Sequence, residues 1–132
     1  MKISATVKSE FNNLQTAVQT NSVSQELKIP PKTTGYGSSV NGGELLMLSL
    51  ATCFCNDIYR EAANRKISVI SVAVQVNGEF GGEGEPGFNF TYRADVVADA
   101  PNEVIKELIK HTDRVAEIHN TLRKGVNVTL TM

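Results

Sequence analysis

Apolar and polar residues alternate along the first part of the chain. Ile3, Ala5 and Val7 share one side of an extended segment, and Leu14 to Thr20 and Val23 to Ile29 follow after polar breaks such as Phe11-Asn12-Asn13. A repeat of two places every second side chain on one face of a strand, so this region predicts a three-stranded meander. From Pro30 to Gly43 the periodicity stops, and Pro30-Pro31, Gly35, Gly37, Ser38-Ser39 and Asn41-Gly42-Gly43 read as a loop. Glu44 to about Arg65 then predicts a helix of two halves. The first half is apolar nearly all round. The second carries Ile58, Tyr59, Ala62 and Ala63 on one face and Asn56, Asp57, Arg60, Glu61, Asn64 and Arg65 on the other. A helix apolar on every side is expected to be buried on every side, so this one should begin deep and end shallow, its polar half emerging into solvent or at a subunit boundary.

Two longer strands follow. One places Ile70, Val72, Val74 and Val76 on a single face, the other Phe88, Phe90, Tyr92, Ala94 and Val96, and Gly81 to Gly87 between them reads as a hairpin loop. Pro101 opens a helix with the stripe Val104, Ile105, Leu108 and Ile109, and Val115, Ile118 and Leu122 mark a further helical segment before Gly125. Val126 to Met132 alternates again and predicts a last strand. The class is α+β, with one domain over residues 1–132.

Composition narrows the partners more than the fold. A chain of 132 residues with 41% hydrophobic and 20% charged residues has ordinary globular usage, which excludes a disordered or fibrous protein. The formal net charge of −1, from 13 basic against 14 acidic residues, gives no footprint for nucleic acid or an anionic membrane surface. The longest apolar-rich run, Leu45 to Cys55, is half of the roughly 20 residues a membrane span needs. Met1 to Thr6 lacks the apolar stretch of a secretory signal, so a cytoplasmic location is expected. Two cysteines, Cys53 and Cys55, are too few for a disulfide framework and are expected to be thiols.

Gly43-Glu44-Leu45-Leu46 through Ser49-Leu50-Ala51-Thr52-Cys53-Phe54 resembles the signature of the osmotically inducible and organic hydroperoxide resistance (OsmC/Ohr) family. The continuation Asn56-Asp57-Ile58 looks most like its uncharacterised OsmC-like branch. The resemblance extends over nearly the whole chain in element order. It implies an OsmC-like fold, with a β meander and a hairpin around a long buried central helix, in an intertwined homodimer with sites at the interface. It also implies a thiol-dependent peroxidase acting in oxidative stress defence, in which Cys53 is the peroxidatic thiol, Glu44 the glutamate of the helix start and His119 a neighbour of the active site. No metal and no organic cofactor would be required, only a hydroperoxide substrate and a reductant.

Two family features are missing. The resolving cysteine of the late helix falls at Ala116, and residues 1 to 42 contain Lys2, Lys8, Lys28 and Lys32 but no arginine to pair with the glutamate. Cys55 is the only other thiol, and two residues along a helix turn it about 200° away from Cys53, so an external low-molecular-weight thiol is the expected reductant. Asp57, one turn beyond Cys53 on the same face, would raise the thiol pKa unless a cation intervenes. His111 and His119 are expected in solvated or capping roles. A catalytically silent protein of the same family, binding a small hydrophobic ligand at the dimer interface, is the alternative. In a third reading the cysteines are only core, since a free cysteine in an apolar helix is commonly a small buried hydrophobe.

Overall fold

Alternation and tight turns build the first part of the computed structural model, which describes all 132 residues. The chain divides into two compact units, Met1–Leu45 and Leu46–Met132. In the first, β1 (Ile3–Glu10), β2 (Asn13–Thr20) and β3 (Val23–Glu26) form an antiparallel sheet in the order β1-β2-β3. Both turns contain two residues, closed by the pairs Glu10↔Asn13 and Thr20↔Val23. Asn12 and Asn21 hold φ of 53° and 51°, a left-handed conformation that asparagine tolerates better than most residues. β3 stops short of the expected Ile29: its last ladder pair is Ala17↔Glu26, and Leu27 N–H adds one more bond to Thr16 O at 2.8 Å before the chain leaves the sheet toward Pro30-Pro31. The loop folds back on the first turn, where Asn12 N–H donates to Gly35 O at 2.7 Å. Gly35 is required there: its φ is +91°, and a Cβ would lie 2.5 Å from the Phe11 ring.

The long helix α1 (Gly42–Asn64) opens with a reciprocal cap. Glu44 N–H donates to Asn41 Oδ1 at 2.8 Å, and Asn41 N–H donates to Glu44 Oε1 at 3.0 Å. Two N–H groups that a helix start would leave orphaned are thereby satisfied.

In the second unit, α1 buries Leu50, Phe54, Ile58 and Ala62, one residue in every four. Phe54, Ile58 and Ala62 form a core with Leu108 and Ala116. β4 (Val69–Glu79) and β5 (Phe88–Ala98), an antiparallel pair, close over it with Val69, Val72 and Val74 from one strand and Tyr92, Ala94 and Val96 from the other. Two helices complete the unit, α2 (Asn102–Val115) and α3 (Glu117–Lys124). They are separated by the single residue Ala116, whose extended ψ of 106° breaks the helical run and re-aims the N-terminus of α3.

Three expectations are corrected. The apolar first half of α1 is not the deep half within this chain: Leu48 is 59% exposed, while the buried stripe runs on to Ala62 in the half expected to surface. The reason is that core position follows the four-residue stripe facing the β4–β5 hairpin rather than local apolarity. Ile70 is 71% exposed although it opens the alternation of β4. An irregularity between Val69 and Ser71 shifts the register, so Val69 takes the inner position and Ile70 is turned out. Val126 to Met132 forms no strand, because alternation supplies a face but not a partner edge, and Val128 and Leu130 stand exposed.

These positions separate by stability. Ile58→Ala is expected to cost about 2–5 kcal/mol in denaturant unfolding, and Ile70→Ala less than about 0.5 kcal/mol. Equal costs would contradict the shifted register.

Candidate functional site

Four residues of helix advance the chain by about 400°, so side chains at i and i+4 lie within about 40° of each other. That spacing brings Cys53 and Asp57 together on α1, where the Cys53 thiol donates to Asp57 Oδ2 at 3.5 Å. The break at Ala116 delivers the start of α3 to the same place. The backbone N–H of Ile118 acts on the Cys53 sulfur, favouring its charged form, and the Glu117 carboxylate joins the group. The sulfur of Cys53 and one oxygen each of Asp57 and Glu117 lie within 4.8 Å of one another.

Two carboxylates at this distance need a cation, and Arg60 supplies it. Its NH1 is 3.1 Å from Asp57 Oδ1 and 3.1 Å from Glu117 Oε1, and its Nε is 3.2 Å from Glu61 Oε2. Glu61 is engaged on its other oxygen by His111 Nε2 at 2.7 Å. Asp57 does not emerge into solvent as the polar half of the helix suggests. It is 5% exposed, since its face of α1 meets the start of α3 and the guanidinium one turn on compensates the buried charge.

The electrostatics follow from this geometry. Burial pushes the Cys53 thiol above its usual pKa. The Ile118 N–H works against that shift, and the negative charges of Asp57 and Glu117 add to it. Burial and the neighbouring Glu117 likewise raise the Asp57 carboxyl, while Arg60 restrains the rise. The thiol at rest is therefore protonated, with its proton directed at a carboxylate.

A second group gathers around His119, the third residue of α3. His119 is 5% exposed and neither ring nitrogen has a hydrogen-bond partner; the ring packs on Tyr92 with centroids 4.5 Å apart and on Phe54 at 5.5 Å. Burial, and then the positive charge of Arg123, lower its pKa. The Tyr92 hydroxyl donates to Asp113, which also receives Arg123 NH2 at 2.6 Å. Burial alone would raise the Asp113 carboxyl, but these two donors hold it below its usual value. Leu50, Val76, Phe90, Thr91, Tyr92, His119, Leu122 and Arg123 line a cavity of about 140 Å³ beside this group.

Of the residues singled out in the sequence, Cys53 and Asp57 come together. Glu44 is engaged by Asn41 in the cap of α1. Cys55 lies on another side of the helix, in a shallow depression with Ala51, Thr52, Asn56 and Val74, and both thiols are free. The histidines are corrected: His111 is paired with Glu61 and His119 is buried in an aromatic cluster, so neither is simply solvated or capping. Burial by α2, α3 and the hairpin, which the sequence pattern does not reveal, is the reason. Arg60, Glu117 and the Ile118 N–H were not singled out. Arg60 was legible as the i+3 partner of Asp57, whereas the other two enter only through the break at Ala116.

An α+β chain with a helix-borne thiol facing the start of a late helix defines the class. Residues 35–131 match the family model described as OsmC-like protein, and the chain belongs to that family. Solved structures share the fold. An OsmC like protein from Mycoplasma pneumoniae superposes with a TM-score of 0.65 at 20% identity, covering 99% of this chain and 96% of that one. An OsmC-like protein of unknown function from Vibrio cholerae gives 0.63 at 13% identity, over 92% and 93% of the two chains. A putative organic hydroperoxide resistance protein from Vibrio cholerae, with captopril bound in one of its active sites, gives 0.60 at 21% identity, over 96% and 88%. The curated proteins offer no match. No helix of the chain is long and apolar enough to cross a membrane.

The buried imidazole makes a pH prediction. His119 has a folded pKa below its ordinary 6.5, so in the window beneath 6.5 the unfolded chain binds more protons than the folded one. Stability from the neutral ring is thus present above 6.5 and is lost as the pH falls toward the folded value. His119→Phe is expected to flatten the loss of stability between about pH 7 and pH 5 in urea titrations. An unchanged slope would contradict a neutral buried ring.

Proposed function

We propose that the chain is a thiol-dependent peroxidase that reduces organic hydroperoxides through Cys53. The observation that carries this reading is the setting of the Cys53 thiol, which donates a hydrogen bond to Asp57 Oδ2 and meets Glu117 at the start of α3, where the Ile118 N–H favours the charged sulfur. In the reaction the sulfur attacks the terminal peroxide oxygen, the O–O bond breaks, an S–O bond forms, and the products are the Cys53 sulfenic acid and an alcohol. The Ile118 N–H is placed to stabilise negative charge on sulfur as attack begins. Membership of the OsmC-like family supports the reading, as does the fold shared with a putative organic hydroperoxide resistance protein.

Reduction of the sulfenic acid falls to an external low-molecular-weight thiol. With Ala116 buried at the start of α3 and Cys55 on another side of α1, no second thiol stands next to Cys53. Two equivalents of such a thiol return Cys53 to the free form and yield one disulfide and water. A homodimer belongs to the proposal as well. The exposed Leu48 on the apolar half of α1 is a side chain that a second copy of the chain would cover.

The cavity beside His119 favours a second reading, in which the protein holds a small hydrophobic ligand. Its lining is mainly apolar, and at about 140 Å³ it suits a single ring or a short branched chain.

Steady-state consumption of cumene hydroperoxide with a small thiol as reductant tests the main reading. Cys53→Ser is expected to abolish consumption, and Cys55→Ser to retain most of it. Equal activity in the wild type and Cys53→Ser would contradict the peroxidase, and ligand-dependent stabilisation of a peroxide-inert protein would support the binding role.

A further inference from the structure

The family's usual arginine is missing from residues 1 to 42, yet an arginine reaches the candidate site from within α1 itself. Arg60 does not touch Cys53. Its NH1 holds Asp57 Oδ1 at 3.1 Å, leaving Oδ2 to face the Cys53 thiol at 3.5 Å. The two oxygens of one buried carboxylate are thus divided between a fixed cation and a reactive proton.

Resting on the peroxidase reading, we propose that Asp57, aimed and charge-balanced by Arg60, takes the Cys53 thiol proton during attack on the hydroperoxide and returns it to the departing alkoxide. Asp57 is then a catalytic proton carrier and Arg60 a positioning residue. The atoms balance: sulfur loses two electrons and gains the terminal oxygen, the O–O bond is cleaved, and the proton passes from sulfur to Asp57 Oδ2 and on to the alcohol oxygen.

The arrangement is built rather than incidental. Asp57 is among the few buried charged residues of the chain, and its neighbours across the packed elements are Cys53 and Arg60 of α1 and Glu117 of α3. Arg60 is fixed in turn by Glu117 and by Glu61, and Glu61 by His111 of α2. The groups facing Cys53 are Asp57, Glu117 and the Ile118 N–H. A carboxylate beside a thiol opposes a resting thiolate, because the two negative charges repel, so the arrangement does not suit a preformed nucleophile. It suits transfer of the proton as the sulfur attacks. Burial, which raises the proton affinity of Asp57, makes it a stronger base for that step, and Arg60 keeps it available in its charged form.

This account separates two rates that a merely structural role would move together. In a Cys55→Ser background, so that one thiol reports, alkylation by iodoacetamide and single-turnover oxidation by cumene hydroperoxide are measured from pH 5 to pH 10. Asp57→Asn removes the negative charge, so the alkylation midpoint of Cys53 should move to lower pH. The peroxide rate at pH 7 should nonetheless fall by about 100-fold, the usual scale for loss of a general acid–base group. Arg60→Gln should leave Asp57 in place but move the acid limb of the peroxide rate upward in pH, with partial restoration by Arg60→Lys. A peroxide rate that is unchanged in Asp57→Asn, or that rises with its alkylation rate, overturns the proton carrier while leaving the peroxidase intact. An acid limb that does not move in Arg60→Gln overturns the positioning role, also when Asp57→Asn does not fold. If wild-type Cys53 consumes no hydroperoxide, the peroxidase reading fails, and the proton carrier with it.

Discussion

A carboxylate at 5% exposure next to a thiol is tenable only because an arginine one turn further along the same helix holds its far oxygen. An unpaired buried charge costs several kcal/mol or changes its protonation state. The Asp57–Arg60 contact removes that conflict and in doing so fixes the carboxylate's orientation. With one oxygen committed to Arg60 at 3.1 Å, the other can only face the Cys53 side. The contact also draws in α3, because the same guanidinium nitrogen reaches Glu117 on the residue after the Ala116 break. Helix α3 is thereby tied at its first residue to the helix that carries the thiol, and its next N–H favours the charged form of the sulfur.

The core beneath serves this placement. Phe54 and Ile58 follow Cys53 and Asp57 by one residue each along α1, so the stripe that packs on Leu108 and Ala116 sets the rotation at which the thiol and carboxylate face α3. Alanine at 116 is part of that core. It is fully buried where the family resemblance places a second cysteine, so the position fills space instead of supplying a thiol. Under the proposed function, a site with no second thiol beside Cys53 draws its reductant from outside.

Much of the fold was legible because it rests on local periodicity. The meander, the long helix, the hairpin and both late helices follow from alternation, the four-residue stripe, Pro101 and Gly125. What was missed concerns pairing and depth, which are not local. Val126 to Met132 has the alternation of a strand but pairs with neither sheet, and a register shift of one residue sends Ile70 outward. Within the site, Cys53 with Asp57 could be read from a spacing of four, and Arg60 from a spacing of three. Glu117 and Ile118 could not, since their proximity depends on a break at an alanine that carries no breaker signal. His119 reads as an ordinary polar helix residue until Tyr92 and Phe54 are seen to enclose it.

The central claim is that Cys53 is oxidised by an organic hydroperoxide and has no internal thiol to resolve it. The most direct measurement is mass spectrometry of the protein after one equivalent of cumene hydroperoxide, without reductant and with a dimedone-type trap present. The account predicts a trapped sulfenic acid on Cys53, with Cys55 unmodified and no Cys53–Cys55 disulfide. An unmodified Cys53, or an intramolecular disulfide in place of the adduct, would contradict it.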